Sequence, residues 1–223
     1  MSKYLEVFYD PTIKPLTSYP GYLAEYLAYR FRIIANAKIL DAGCGRGDFL
    51  RAFAGAGLDA AGLDFPDKLG TCRQGFTIQQ ANFETDRFPF PDDTFDVVFS
   101  KSVIEHLHKP DNFLREIWRV LKPAGRIIIM TPDWQTQRYI FYNDYTHVQP
   151  YIASGLENAL KLHDFREVSA ELFYQLPAVW RFPFLKLLCR PLQILFPVKR
   201  IRKSGWWRWA RELMIIGTGV KSK

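Results

Sequence analysis

The sequence predicts an α/β fold built on a largely parallel sheet, and three observations carry that expectation. An apolar strand end, Ile39-Leu40, runs through Asp41 into Gly43, Gly45 and Gly47 and then into the helical pattern Phe49-Leu50. A second strand, Asp59 to Asp64, ends on an acid about 20 residues beyond the loop, where a carboxylate can accept from both ribose hydroxyls of a bound nucleoside. Strand-length apolar runs then alternate with amphipathic helical runs as far as Pro132, the pattern of repeated strand–helix–strand units.

The loop's spacing narrows its ligand. Glycines lack Cβ atoms, so a ligand can lie against bare backbone N–H groups. A dinucleotide loop needs G-x-G-x-x-G, whose third glycine packs helix on strand over a pyrophosphate. Here the order is G-x-G-x-G, and Asp41 at the strand end repels a pyrophosphate and suits a ligand carrying an ammonium group. The run Asp41-Ala42-Gly43-Cys44-Gly45-Arg46-Gly47 resembles motif I of the class I S-adenosylmethionine-dependent methyltransferases (methyltransferase type 11, UbiG-like). The resemblance implies a Rossmann-like seven-stranded sheet, mostly parallel with an antiparallel edge strand and helices on both faces. It implies an enzyme with S-adenosyl-L-methionine as cofactor and S-adenosyl-L-homocysteine as product. Asp41, Gly43, Cys44 and Gly45 fall to the methionine moiety, Asp64 to the ribose, and Ser100 to the cofactor wall.

In chain order, residues 1–20 hold Pro11, Pro15 and Pro20 among tyrosines and read as an extended arm, either folding over a ligand or covering apolar core. Gly21 to Ala35 has helical spacing, and a further helix after the glycine loop stops at Gly55-Ala56-Gly57. Phe65, after the second strand, stands where a ring could pack on adenine. Phe76 to Ala81 reads as the third strand. Ala81 to Phe99 resembles the family's post-strand pattern, which puts Asn82 where an aspartate usually takes the adenine amino group, beside Phe83. An asparagine oxygen accepts the same hydrogen bond with weaker pull.

Asp96 to Ser100 is the fourth strand, and the segment to Leu107 is expected to open a helix. Ser102-Val103-Ile104-Glu105-His106-Leu107 resembles the matching segment of small-molecule O-methyltransferases, so His106 is the candidate general base, with a packing histidine as the alternative. Asp111-Asn112 are expected to cap a helix ended by Lys122-Pro123-Ala124-Gly125, and Arg126 to Pro132 reads as a buried fifth strand. Beyond it, Asp144-Tyr145-Thr146-His147 resembles the acceptor loop of methyltransferases acting on sugars, quinones and related hydroxylated compounds. Asp144 and His147 are therefore candidate acceptor contacts or a second proton acceptor. Asp133, Asp144 and His147 could bind an ion, but no spacing demands one and no metal site is assigned.

Ile152 to Leu162 reads as a helix, Phe165 to Phe173 as a strand, and Glu212 to Val220 as the last strand. The family joins these two antiparallel strands by a short hairpin; here a long basic and aromatic helical insertion, 174–211, separates them. The whole chain reads as one methyltransferase domain over 1–223, with an arm and helix to residue 35, a core over 36–173, the insertion, and the last strand over 212–223.

Composition sets the remaining bounds. The chain has 223 residues, 48% of them hydrophobic, enough for a full core, and a net charge of +7. Residues 171–223 carry eleven Lys/Arg against two acids, so the basicity belongs to the tail end. Three cysteines without metal-like spacing and an N-terminus without an apolar core point to a cytoplasmic protein. Apolar runs in 180–209 are too short to span a bilayer and have the composition of an interfacial helix, which places the protein at the inner membrane surface with a small-molecule, glycan or lipid-linked acceptor. A flap or dimer seam is the alternative, and the oligomeric state stays unassigned. Two further function classes stay open: a nucleic-acid (RNA) methyltransferase using the Trp-rich basic end, which lacks the N/D-P-P-Y/F motif of base-amino enzymes, and a non-catalytic cofactor-binding or assembly module.

Overall fold

Alternation along the strands sorts the apolar side chains into two cores. Along β1 (Lys38–Ala42), Ile39 packs on one face of the sheet while Leu40 and Ala42 pack on the other. The computed structural model describes residues 15–65, 75–195 and 210–222, without the side chains of 192–194. Its other strands are β2 (Asp59–Asp64), β3 (Thr77–Gln80), β4 (Phe95–Lys101), β5 (Leu121–Pro132), β6 (Phe165–Phe173) and β7 (Met214–Lys221). They form one seven-stranded sheet in the order β3-β2-β1-β4-β5-β7-β6. Neighbours from β3 through β5 run parallel, and β7 lies antiparallel between β5 and β6, so an antiparallel pair closes that edge. The order reverses between β1 and β4, the switch point where open α/β sheets form a crevice.

The helices are α1 (Tyr19–Phe31), α2 (Asp48–Gly55), α3 (Asp111–Val120), α4 (Trp134–Gln137), α5 (Ala153–Leu162), α6 (Pro177–Arg181) and α7 (Lys186–Leu195). Leu23 and Leu27 of α1 and Phe53 of α2 cover one face; Phe113 and Ile117 of α3 and Leu156 and Leu160 of α5 cover the other. A third cluster, with Tyr174, Val179, Cys189 and Leu213, lies under the insertion.

Four local expectations are corrected. The helix expected to Ala35 stops at Phe31 because Arg32 adopts a left-handed φ of 51°. The helix expected from Ser100 to Leu107 is a single 3₁₀ turn, Ile104–His106, because Ser102 takes φ 57° and its N–H donates to Met130 O. Neither Asp111 nor Asn112 caps α3; Asn112 Nδ2 donates instead to the carbonyls of Phe83 and Asp86, strapping that loop to the helix. β5 begins at Leu121, so Lys122 to Gly125 lie within the strand. The N-terminal arm to residue 14, Cys72, and the Trp206-Trp207-Arg208-Trp209 cluster lie outside the described residues.

The loop between β3 and β4 is held by one carboxylate. Glu116 Oε2 accepts from Phe88 N at 2.8 Å, and Arg119 donates to both Glu116 oxygens as well as to the Phe88 and Phe90 carbonyls. Burial opposes the charge of Glu116, but the Arg119 guanidinium and the Phe88 N–H hold its pKa below the ordinary value. A lowered folded pKa gives stability that is present above the unfolded value and lost as pH falls through the folded one. Glu116→Gln is expected to lower unfolding stability by ~2–3 kcal/mol at neutral pH, with the gap to the parent closing below roughly pH 4. Urea unfolding at the two pH values measures both.

Candidate functional site

The glycine turn after β1 is shaped by contacts on both sides. Gly43, Gly45 and Gly47 take φ values of +96°, +50° and +75°, which L side chains rarely adopt. A Cβ on Gly43 would lie 2.1 Å from Val103 Cγ2, whereas one on Gly45 would meet nothing within 4 Å. Val103 therefore backs the turn while Gly45 faces open space. The expected bare N–H cradle is corrected. Gly43 N and Cys44 N both donate to Leu63 O, Gly47 N donates to Cys44 O, and Gly45 N donates to Asp64 Oδ2 at 2.6 Å. The loop is a backbone wall with these donors already committed, unlike a phosphate nest.

Asp64 also accepts from Phe65 N at 2.7 Å through its other oxygen, so the acid expected at a ribose holds the loop and its own exit turn. Asp41 is 2% exposed, and its Oδ2 has no hydrogen-bond partner among the described residues. Burial first, and the neighbouring charges of Asp64 and Asp48 next, push its pKa well above the carboxylate range. A cation seated beside Asp41 and Asp64 would relieve that strain.

The remaining expected cofactor residues divide. Phe65 is half-buried at the end of β2, with its ring edge-on to Phe83 at 4.8 Å. The Phe83 side chain is 1% exposed and packs against Phe88 and Phe113, so it belongs to the core and leaves only its backbone for a ligand. Asn82 Oδ1, expected to take an adenine amino group, already accepts from Glu84 N in a local turn. Ser100 Oγ donates to Ala42 O at 2.8 Å and ties β4 to β1, a structural duty in place of the cofactor contact. Cys44 is buried, its Sγ 2.9 Å from where a Gly62 Cβ would be.

The second half of the site lies beyond β4 and β5. His106 and His147 meet with ring centroids 4.7 Å apart, and the loop carrying His147 is braced by Phe141, 4.5 Å from the His147 ring, and by Trp134 on Phe141. His106 Nδ1 lies 2.9 Å from Thr146 Oγ1 and 3.2 Å from Thr146 O. Thr146 Oγ1 gives its own proton to Asp144 Oδ1 at 2.6 Å, and a carbonyl only accepts, so Nδ1 of His106 carries the hydrogen. The lone pair of the neutral ring then sits on Nε2. His147 Nδ1 donates to Phe141 O at 2.7 Å, which sets the same tautomer there. Burial lowers the His147 pKa despite Asp144, and the Thr146 donors together with the two imidazoles hold the Asp144 carboxylate low despite its own burial.

Sequence reasoning passed over Thr146 and Glu105. Glu105 is 0% exposed; Oε2 accepts from Thr131 Oγ1 at 2.9 Å, while Oε1 has no hydrogen-bond partner among the described residues. Its burial pushes its pKa up to about 7. An acid inside an apolar Val-Ile-Glu-His-Leu run was the available signal, since an acid is almost never fully buried without a partner. Asp133 N-caps α4 through Thr136 N, and burial raises its pKa.

Residues 40–129 match the family model described as a methyltransferase domain. An uncharacterized methyltransferase of Mycobacterium tuberculosis is 33% identical over 100 residues, 43% of this chain and 39% of the relative. A ubiquinone biosynthesis O-methyltransferase of Pseudomonas fluorescens is 28% identical over 147 residues, 60% of this chain and 59% of the relative. The chain thus spans about two fifths to three fifths of the length of these curated relatives. Among solved structures, a chain of the complex between the Haloferax volcanii Trm112 methyltransferase activator and a methyltransferase aligns with TM-score 0.72 at 19% identity, covering 99% of this chain and 98% of that one. Phosphoethanolamine N-methyltransferase 2 of Haemonchus contortus, in complex with phosphomonomethylethanolamine and S-adenosylhomocysteine, aligns with TM-score 0.64 at 17% identity over 98% of this chain and 59% of that one. These structural likenesses speak for the fold.

Replacing Thr146 by Val is expected to cut the link between Asp144 and His106. In ¹⁵N-resolved imidazole spectra, His106 should change from a single Nδ1–H tautomer to a mixture, while His147, held by Phe141 O, keeps its pattern.

Proposed function

We propose that this chain, whose residues 40–129 match a methyltransferase domain model, is a class I S-adenosylmethionine-dependent methyltransferase that transfers a methyl group to a hydroxyl of a small-molecule, glycan or lipid-linked acceptor. The observation that carries the reading is the buried, orphaned carboxylate oxygen of Asp41 beside Asp64 and the open wall at Gly45. Committed N–H groups and two acids fit a sulfonium and ammonium compound better than a pyrophosphate. Asp41 and the Gly43–Gly45 backbone would hold the methionine moiety, Asp64 the ribose, and Phe65 the adenine. When bound, S-adenosyl-L-methionine supplies a methyl group already activated by its sulfonium charge. The protein's task is then to align an acceptor oxygen, exclude water and receive a proton.

His106 is assigned the proton: its Nε2 takes the hydroxyl hydrogen, and Asp144, through Thr146, steadies the imidazolium that forms. Trp134 and the exposed ring of Tyr142 offer faces suited to a sugar or quinol. The likeness to a ubiquinone biosynthesis O-methyltransferase favours an oxygen acceptor.

A second observation favours a membrane-borne acceptor. No helix among the described residues is long and apolar enough to cross a membrane. Yet Phe182, Phe184, Leu187, Leu188 and Leu195 are each 46% exposed or more, beside Arg181, Lys186 and Arg190, in a stretch from 172 to 211 without an acid. Apolar side chains interleaved with cations suit an anionic lipid surface.

Titration of the full chain with S-adenosyl-L-homocysteine or its methylated parent should show one site that releases a proton on binding, seen as an enthalpy depending on buffer. Because Asp41 is raised when free, affinity should rise with pH; Asp41→Asn should remove both the proton release and the slope. Equal affinity in the parent and in Asp64→Asn, or no transfer of labelled methyl to any hydroxylated acceptor, would overturn the assignment. For the membrane reading, flotation with phosphatidylglycerol vesicles should exceed that with phosphatidylcholine, weaken with salt, and fall at least tenfold for Phe184→Glu with Leu188→Glu. Stronger retention on single-stranded RNA than on vesicles across the same salt series would favour the RNA alternative.

A further inference from the structure

Glu105, His106 and His147 come together from two places in the chain: the turn after β4, which carries Glu105 and His106, and the loop beyond β5, which carries His147. Each offers one ligand atom, and the three atoms lie within 4.8 Å of one another. Ligands sharing one tetrahedral zinc-class ion at about 2.1 Å lie about 3.4 Å apart, so the widest pair would close by up to about 1.4 Å on binding.

Three observations fit this group to an ion better than to packing. Both imidazoles are held by Nδ1, His106 on Thr146 and His147 on Phe141 O. That is the outer-shell arrangement which orients a metal-binding histidine and puts the lone pair on Nε2. Glu105 is fully buried with one oxygen anchored on Thr131 and the other orphaned, as a monodentate ligand requires. Asp144 stands behind His106 through Thr146 and lies 3.9 Å from His147 Nε2 on its ligand side, so the local carboxylates call for positive charge.

We propose that Glu105, His106 and His147 bind a divalent ion of the zinc class, by one carboxylate and two imidazoles, with a further coordination position for water or an acceptor hydroxyl. Two nitrogens and one oxygen suit zinc or cobalt and disfavour magnesium, which demands oxygen ligands. The bound ion takes the lone pair that the metal-free reading assigns to proton transfer. Hydroxyl activation then passes from His106 to the ion, which lowers the pKa of a coordinated hydroxyl.

The test uses the full chain freed of metal and needs no methyl donor, so it stands or falls apart from methyl transfer. Titration with Co²⁺ should give one equivalent bound, with visible d–d absorption and no near-ultraviolet thiolate band, and Zn²⁺ should displace it. Glu105→Gln and His147→Ala should each weaken Co²⁺ binding about tenfold to a hundredfold, while Asp144→Asn does so less. Circular dichroism confirms that each variant is folded, and His147→Gln replaces His147→Ala if the latter is not. A thiolate band, which would move the ion to a cysteine, overturns the proposal. So does affinity unchanged in both folded ligand variants, or the lack of saturable binding.

Discussion

The turn after β1 is closed from within by the end of β2, and the rest of the site depends on that closure. Leu63 O takes two loop N–H groups and the Asp64 carboxylate takes a third. Backbone donors left open in such a turn would form an anion nest. Their use by β2 leaves the electrostatics of the crevice to carboxylates, and so selects for a cation. The same bonds fix how far β1 and β2 extend before the chain turns, which sets the depth at which Asp41 is buried. Val103 against Gly43 holds the opposite side, so any larger residue at position 43 would push apart β1 and the turn that carries Glu105 and His106.

Buried acids gather at the carboxyl ends of the parallel strands. Asp41, Asp64, Glu105 and Asp133 are each 4% exposed or less, and Asp41, Glu105 and Asp133 each leave one oxygen unsatisfied among the described residues. Elsewhere the chain pairs its buried charges fully: Lys221 Nζ donates to Asp93, Arg119 O and Leu121 O while lying over Trp118, and Glu116 is forked by Arg119. An uncompensated buried carboxylate is expensive. Its concentration at one edge of the sheet marks the place where something positive, a ligand or an ion, completes the balance. The two halves differ in chemistry: the Asp41 half has backbone and acids only, while the Glu105 half adds imidazoles whose tautomers are set by outer hydrogen bonds.

The sheet was largely legible because its signals are local. β2 lies on its expected bounds and β1 runs through the expected strand end, and the Gly-x-Gly-x-Gly turn follows as its glycines require. Helix ends were less legible, because Arg32 and Ser102 stop helices by adopting positive φ that neither residue type advertises. The site was legible in position and misread in part of its chemistry. Asp41 lies beside Asp64 and His106 against His147, while Ser100, Phe83 and Asn82 are engaged with Ala42 O, the core and Glu84 N. Those engagements depend on long-range packing or on turn geometry that a residue's identity does not encode. Thr146 escaped notice because a threonine in a polar loop carries no signal until the fold brings it to within 2.9 Å of His106, forty positions earlier in the chain.

The insertion is attached to the core by aromatic rings, and this bears on how its exposed face connects with the crevice. Trp180 of α6 stacks on Tyr26 of α1 at 4.8 Å, touches Phe173 at 5.4 Å, and donates to Tyr174 O. Arg30 of α1 pairs with Glu171 at 2.7 Å beside it. The anchor is therefore on the α1 face of the sheet, next to the end of β6. Asp133 N–H donates to Leu213 O, and Gln137 Nε2 donates to the same carbonyl at 2.6 Å. Leu213 thus joins the strand that follows the insertion to the start of the loop that carries Asp144, Thr146 and His147.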